Sequence, residues 1–288
     1  MLIDSASNKK IKLMESLRLR KHRAKEGLFR IEGVRLAEMA AASGWAIRFG
    51  LYTAELVEKE RGRALVEALQ AKCPLYEIGA ALAKKVAATD TPQGIFLVAE
   101  QQKKSLPQMA EHLQQAAARK PLLVVLDGVQ DPGNAGTIIR TADAVGADGV
   151  ILTKGSVDVF SDKTVRATMG SLFHLPVVTD VSAEEVAAFA QATGCQLLAT
   201  ALDEQAKPHF AVDFGKGSLI AFGNEGAASQ RNCSRRQKRS TSRCTAKRSP
   251  ECRRVVCCRA LRSRAPASFR LKHLLTRARQ SRGRAGRL

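Results

Sequence analysis

The chain has 288 residues, 45% of them hydrophobic, with 47 Lys+Arg against 27 Asp+Glu and a formal net charge of +20. That length suits two domains of ordinary size. No stretch approaches the ~20 apolar residues of a membrane span, and Met1 to Lys12 lacks the apolar run of a secretory signal, so a cytoplasmic protein with no membrane partner is expected.

The charge is unevenly spread. From Ala227 onward there are 20 Lys+Arg and one acid, Glu251, while the first 226 residues hold 27 Lys+Arg and 26 acids. Cysteine divides the same way: only Cys73 and Cys195 precede Ala227, and Cys233, Cys244, Cys252, Cys257 and Cys258 follow it. The high isoelectric point therefore belongs to the ending and describes no property of the body.

In chain order, Ser5 to Lys25 reads as a basic amphipathic helix with Ile11, Leu13, Leu17 and Leu19 on its apolar side. Phe29 to Gly33 is a short extended piece, Val34 to Ser43 a helix, Ile47 to Thr53 a strand and Glu55 to Lys72 a helix. Tyr76 to Ile78 reads as a strand, Ala80 to Ala87 as a helix and Ile95 to Ala99 as a strand, so residues 1–100 form a small α/β domain. Residues 101–120 are polar and glutamine-rich and read as a linker. Leu122 to Leu126 is a continuous apolar run, as a strand buried on both faces of a parallel sheet requires. Strands at Gly149 to Leu152, Val177-Val178, Gln196 to Thr200 and Leu219 to Phe222 follow, with helices at Ala135 to Val145, Val165 to Leu172 and Ala183 to Ala192 between them.

Asp127-Gly128-Val129-Gln130-Asp131-Pro132-Gly133-Asn134-Ala135-Gly136 follows the first buried strand directly. A loop at the carboxyl end of a parallel strand is where such sheets bind ligands, and free amides at the following helix start suit an anion. Arg140 stands a turn or so into that helix. Taken alone, the loop reads equally as a plain turn followed by a surface arginine.

The stretch Leu126 to Ala142 resembles the first motif of the SpoU (TrmH-like) branch of the SPOUT methyltransferases. Val165-Arg166-Ala167-Thr168-Met169-Gly170-Ser171 is similar to the family's next segment, and Leu219-Ile220-Ala221-Phe222-Gly223-Asn224-Glu225-Gly226 to its second motif, in the same order. Ser7 to Lys12, Glu32 to Arg35 and Thr91 to Ile95 resemble parts of the family's substrate-binding domain. The resemblance implies a trefoil-knotted α/β parallel sheet over 121–226, a bound S-adenosylmethionine (SAM), and methyl transfer to a ribose 2′-hydroxyl of RNA.

Site residues follow from the same resemblance. Asn134, Arg140 and Glu225 carry the catalysis; Thr200, Ala201, Leu202, Gly223, Asn224 and Gly226 hold the cofactor; no metal is expected. In the family the arginine matching Arg140 is a proposed base. A guanidinium is a weak base, so clamping an RNA phosphate and stabilising the emerging alkoxide suit Arg140 better. The basic amino-terminal helix, with Lys9, Lys10, Arg18, Arg20 and Arg23, and Arg166 further on, are expected to contact RNA phosphates. With no aromatic residues interleaved, shape and backbone recognition is expected.

The substrate-binding domain favours ribosomal over transfer RNA. A non-catalytic RNA-binding protein is the alternative from another class, and SAM binding discriminates it. A Rossmann enzyme is disfavoured, because no G-x-G-x-x-G follows the first strand. The family also implies a homodimer through the knot, which the ending leaves open for this chain.

That ending departs from the family's pattern. After its second motif the family continues with a helix, a strand and a Ser-Leu-Asn-Val motif that closes the knot; residues 227–288 offer no buried strand and no such motif. Taking the third base of each codon with the first two of the next, from Ser229 to Pro250, permits a reading that contains Val-Tyr-Ile-Pro-Met. A second shift permits Leu-Asn-Val. The expectation is a methyltransferase domain cut short by a shifted frame, an inactive chain as it stands, and a disordered, highly charged tail.

Overall fold

The computed structural model describes residues 2–115, 120–201, 207–208, 211–214, 216–223 and 243–245. Two sheets carry the fold. The first has the order β1-β4-β3-β5-β2, formed by β1 (Leu2–Ile3), β2 (Leu28–Glu32), β3 (Ile47–Tyr52), β4 (Leu75–Ile78) and β5 (Ile95–Glu100). In it β5 runs antiparallel to both β2 and β3. The second is parallel throughout, in the order β10-β12-β9-β11-β6-β7-β8. Its strands are β6 (Leu122–Asp127), β7 (Gly149–Thr153), β8 (Val177–Val181), β9 (Gln196–Ala201), β10 (Lys207–Pro208), β11 (Ser218–Gly223) and β12 (Arg243–Thr245).

The apolar run of β6 is buried on both faces. Leu122, Val124 and Leu126 join one core, and Leu123 and Val125 another. The first of these cores is shared between the two sheets and includes Phe29, Ile95 and Leu97 beside Val150 and Phe160. An aromatic cluster marks the seam: Phe29 lies 5.6 Å from Trp45 and 5.1 Å from Phe160, and Trp45 lies 5.3 Å from Phe173, centroid to centroid.

The structure corrects several expectations. Ser5 to Lys25 forms two helices, α1 (Lys9–Ser16) and α2 (Arg20–Glu26). The break is held by Arg23, whose Nη1 donates to the carbonyls of Leu17 (2.7 Å) and Arg18 (2.6 Å). Leu17 is buried, but Leu19 is 58% exposed and is no part of an apolar face. After α3 (Val34–Ala42), the helix expected over Glu55 to Lys72 is split at the extended Lys59 into α4 (Ala54–Glu58) and α5 (Glu60–Gln70). Beyond α6 (Ala80–Val86), the expected linker contains α7 (Leu106–Gln115), which buries Met109 and Leu113 one turn apart against the second sheet. The helix expected over Val165 to Leu172 is α9 (Asp162–Ala167) plus a 3₁₀ turn, Ser171–Phe173. In contrast, α8 (Pro132–Ala144) and α10 (Ala183–Ala192) stand close to where the sequence places them.

Three residues of the ending also depart from expectation. β12 pairs in parallel with β9, Arg243 opposite Ala199 and Thr245 opposite Ala201. A ladder needs only backbone N–H and C=O, and the free edge of β9 is a template for any extended segment. The rest of the ending lies outside the described residues, as do the expectations of a disordered tail and of an open or closed knot.

Candidate functional site

The site grows from the carboxyl ends of adjacent parallel strands. The register sets Gly223 of β11 opposite Asp127 of β6 and, on the other side, Leu126 opposite Leu152 of β7. Gly128 follows with φ +65°, a conformation that suits glycine, and turns the chain out of the sheet. Its amide is shared by the Thr153 hydroxyl (3.0 Å) and the Ser156 hydroxyl (3.1 Å). Those hydroxyls in turn donate to Asp127 Oδ1 (2.9 Å) and to the Leu126 carbonyl (2.9 Å). The turn is therefore fixed before any ligand arrives.

Helix α8 starts at a strong signal. Asp131 is its N-cap, with Oδ1 accepting from Asn134 N at 2.7 Å, and Pro132 occupies the first turn. The Asp131 carboxylate thus occupies the helix start where the sequence suggested an external anion. Asn134 and Arg140 are both exposed. Among the described residues the Arg140 guanidinium makes no hydrogen bond or ion pair. Arg140 is six residues beyond Asn134, about 9 Å along the helix axis at 1.5 Å per residue.

The other expected residues fare differently. The Thr200 hydroxyl donates to the Ala221 carbonyl at 3.1 Å and ties β9 to β11, leaving its backbone for a ligand. Ala201 and Gly223 end those two strands. Leu202, Asn224, Glu225 and Gly226 lie outside the described residues. Arg166 is partly buried in α9, with Nη1 sealed from solvent and lacking a hydrogen-bond partner among the described residues.

Of the amino-terminal basic residues, Lys9 is exposed and Lys10 stands over the Tyr76 ring at 4.5 Å. Arg18 is exposed but caps α6, donating to the Lys85 (2.7 Å) and Ala87 (2.8 Å) carbonyls. Arg20 is exposed and pairs with Asp180 at 3.2 Å. Arg23 must be withdrawn as an RNA contact. It is 4% exposed, and its Nη2 lies 2.7 Å from Asp158 of the other sheet's domain. A basic letter in a basic stretch does not reveal an acid 135 positions away.

Sequence reasoning also passed over Thr153, Ser156 and Asp158, which hold the Gly128 turn and Arg23; they stand at the end of β7 and in the segment after it, which carries no recognisable motif.

The described end of the sheet fits a bulky cofactor lying across strand ends. Thr200, Ala201 and Gly223 are small or have their polar group satisfied, so access there is to backbone. No helix among the described residues is long and apolar enough to cross a membrane.

Comparison with known proteins agrees with this geometry. Residues 121–241 match the model of the SpoU rRNA Methylase family, and residues 8–97 match that of the MRM3-like substrate binding domain. The chain is 36% identical over 225 residues to the 23S rRNA (guanosine(2553)-2′-O)-methyltransferase of Bacillus subtilis, covering 78% of this chain and 83% of that one. It is 33% identical over 219 residues to the 23S rRNA (uridine(2479)-2′-O)-methyltransferase of Streptomyces viridochromogenes, covering 72% and 71%. Among solved structures, the AdoMet-bound rRNA methyltransferase from Sinorhizobium meliloti superposes with a TM-score of 0.76 at 30% identity, over 91% of this chain and 98% of that one. Two domains in the same order, each matched along most of its length, leave one assignment: the chain belongs to the SpoU rRNA methylase family.

Proposed function

We propose that the chain binds SAM and transfers its methyl group to a ribose 2′-hydroxyl of ribosomal RNA. The observation that carries this reading is the preset turn at Asp127-Gly128, opposite Gly223, leading into a capped helix that presents Asn134 to solvent together with Arg140, which has no partner among the described residues. The named activities of the relatives support the RNA and the position on the sugar. SAM would rest on the backbone after Thr200, Ala201 and Gly223, with Leu202, Asn224 and Gly226 continuing that surface. When bound, it supplies a methyl group on a sulfonium leaving group.

The chain's own residues then have three tasks. Arg140 holds the phosphate beside the target ribose and stabilises negative charge on the 2′-oxygen as its proton leaves. Asn134 orients the ribose, and Glu225 holds the arginine or its loop. Lys9, Lys10, Arg18, Arg20 and Arg166 meet RNA phosphates. A cytoplasmic setting goes with this substrate, and the homodimer implied by family resemblance depends on the segment after Gly223.

The test is incubation with methyl-tritiated SAM and bacterial ribosomal or transfer RNA, followed by alkaline hydrolysis. Label in alkali-resistant dinucleotides of ribosomal RNA is expected, because a 2′-O-methyl group blocks cleavage. Label confined to transfer RNA, or found on bases, would overturn the reading. The shifted frame belongs to the same proposal: a chain with the frame restored after Gly226 should transfer methyl groups at least 100-fold faster. Resequencing across codons 226 to 262 that finds no insertion or deletion would sink that part.

A further inference from the structure

The segment from Ser156 to Ala167 is gripped from two sides. On one side are four residues of the amino-terminal domain. Arg23 places Nε 3.0 Å and Nη2 2.7 Å from Asp158 Oδ2. Phe160, 1% exposed, packs on Phe29 at 5.1 Å and on Trp45 at 6.3 Å. Arg30, 2% exposed, sets Nε 3.6 Å from Asp162 Oδ1. Alternate positions 158, 160 and 162 are thus each held by the other domain.

On the other side the same segment holds the catalytic loop and helix. Ser156 Oγ accepts from Gly128 N at 3.1 Å and donates to Leu126 O at 2.9 Å, and Val157 N donates to Val129 O at 2.8 Å. At its far end Ala167 abuts Gly136 of α8, where an added Cβ would fall 2.4 Å from Ala167 Cβ.

We infer that residues 156–167 are a bracket that registers the RNA-bearing amino-terminal domain against the loop and helix carrying Asn134 and Arg140, with Asp158 as its positioning residue. The inference rests on the methyltransferase reading above. Arg23 makes the connection short: one guanidinium bonds the Leu17 and Arg18 carbonyls at the turn between α1 and α2 and also the Asp158 carboxylate. RNA seated on α1 and α2 is thereby tied through a single side chain to the segment that bonds Val129. The tie is stiff because Arg23 is desolvated, and removing its partner leaves a buried charge uncompensated. Another connection, α7, buries Met109 and Leu113 in the core on the opposite face of the second sheet, apart from the core that holds Val129 of the loop and Ala135 and Ile139 of α8.

The test uses the full chain and the variant Asp158→Asn. Asparagine keeps an oxygen for Phe160 N, which Asp158 Oδ1 accepts at 2.9 Å, but turns an amide NH₂ toward Arg23. Hydrogen exchange read by mass spectrometry should show amides of residues 127–136 exchanging roughly 10-fold faster, with β5 unchanged. At saturating RNA, kcat should fall about 10-fold with KM for SAM unaltered, a split that general loss of structure would not give. Asp158→Glu, which keeps the charge, should recover part of both effects.

Unchanged exchange across 127–136, or unchanged kcat, overturns the bracket. Emission from Trp45, the single tryptophan, reports whether the seam itself has opened. If Asp158→Asn fails to fold by that measure, Arg23→Lys takes its place in the exchange measurement, with the same two outcomes. Should neither the parent chain nor the chain with its frame restored transfer a methyl group, the proposed function fails, and exchange in 127–136 still decides the bracket.

Discussion

Gly136 of α8 and Ala167 of α9 meet with no room for a side chain between them: a Cβ on Gly136 would lie 2.4 Å from Ala167 Cβ and 2.5 Å from its carbonyl carbon. Alanine normally gains about 1 kcal/mol over glycine within a helix. Here the obstacle is backbone, which cannot rotate aside, so overpacking of about 1–3 kcal/mol outweighs that gain. Gly136→Ala is expected to lower the urea midpoint. It should also slow methyl transfer, because the helix carrying Arg140 has to shift away from α9. A midpoint equal to that of the parent chain would refute the contact.

Arg140 tests the site without testing the fold. Its exposed guanidinium has no partner among the described residues, so Arg140→Met should change stability by less than about 0.5 kcal/mol. Loss of a group that stabilises charge in a transition state costs on the order of 10²–10³ in rate. The expected signature is therefore a Tm within a degree of the parent, SAM affinity intact, and kcat on ribosomal RNA reduced at least 100-fold. A methylation rate within threefold of the parent would remove Arg140 from the catalytic group.

Most of the second sheet was legible because its signals are local. The run Leu122 to Leu126 has to be buried on both faces, and Asp131-Pro132 is a cap followed by a first-turn proline. What escaped sequence reading depends on partners far along the chain. Arg23 looks like a phosphate contact until Asp158 folds against it, and the same arginine breaks what the hydrophobic spacing presents as one helix. The Met109 and Leu113 pair within the supposed linker was visible at helical spacing, but the surrounding glutamines hid it. β12 had no side-chain signal at all, since its pairing with β9 is a matter of backbone alone. For the site, Asn134, Arg140 and Gly223 were named from motif order. Thr153, Ser156 and Asp158 had no motif to announce them.

Cys73 makes a prediction about pH. It is 7% exposed in the amino-terminal core, and burial pushes its thiol up to about 11. In the unfolded chain the thiol ionises near its ordinary value of roughly 8.5. The folded state therefore favours the neutral form, and the contribution is complete below the unfolded value. It is lost as pH rises through that interval toward 11. Iodoacetamide at pH 8 should leave Cys73 unlabelled in the folded chain and label it in 8 M urea. Cys73→Ser should flatten the fall in stability above about pH 9. Rapid labelling of Cys73 in the folded chain would contradict the burial.

Arg30 is the most exacting residue in the seam between the domains. It donates to the Val86 carbonyl at 2.6 Å and the Met14 carbonyl at 3.3 Å, and lies 3.9 Å from Glu32 and 3.6 Å from Asp162. Burial lowers its pKa against the opposing pull of Asp162, so the site carries a desolvation cost that its acids offset. Glu32 is shared onward, accepting from the amide of Ala88 and the hydroxyl of Thr89. Arg30→Met fills similar space but strands two carboxylates and two carbonyls, and breaking a buried ion pair from one side costs about 3–5 kcal/mol. Replacing Glu32 and Asp162 by Gln and Asn in the same chain should recover part of that loss, because the stranded charges are gone. Equilibrium urea denaturation of the single and triple variants measures both steps. If the triple variant is no more stable than Arg30→Met alone, the cost lies in the unsatisfied carbonyls of Met14 and Val86, not in the acids.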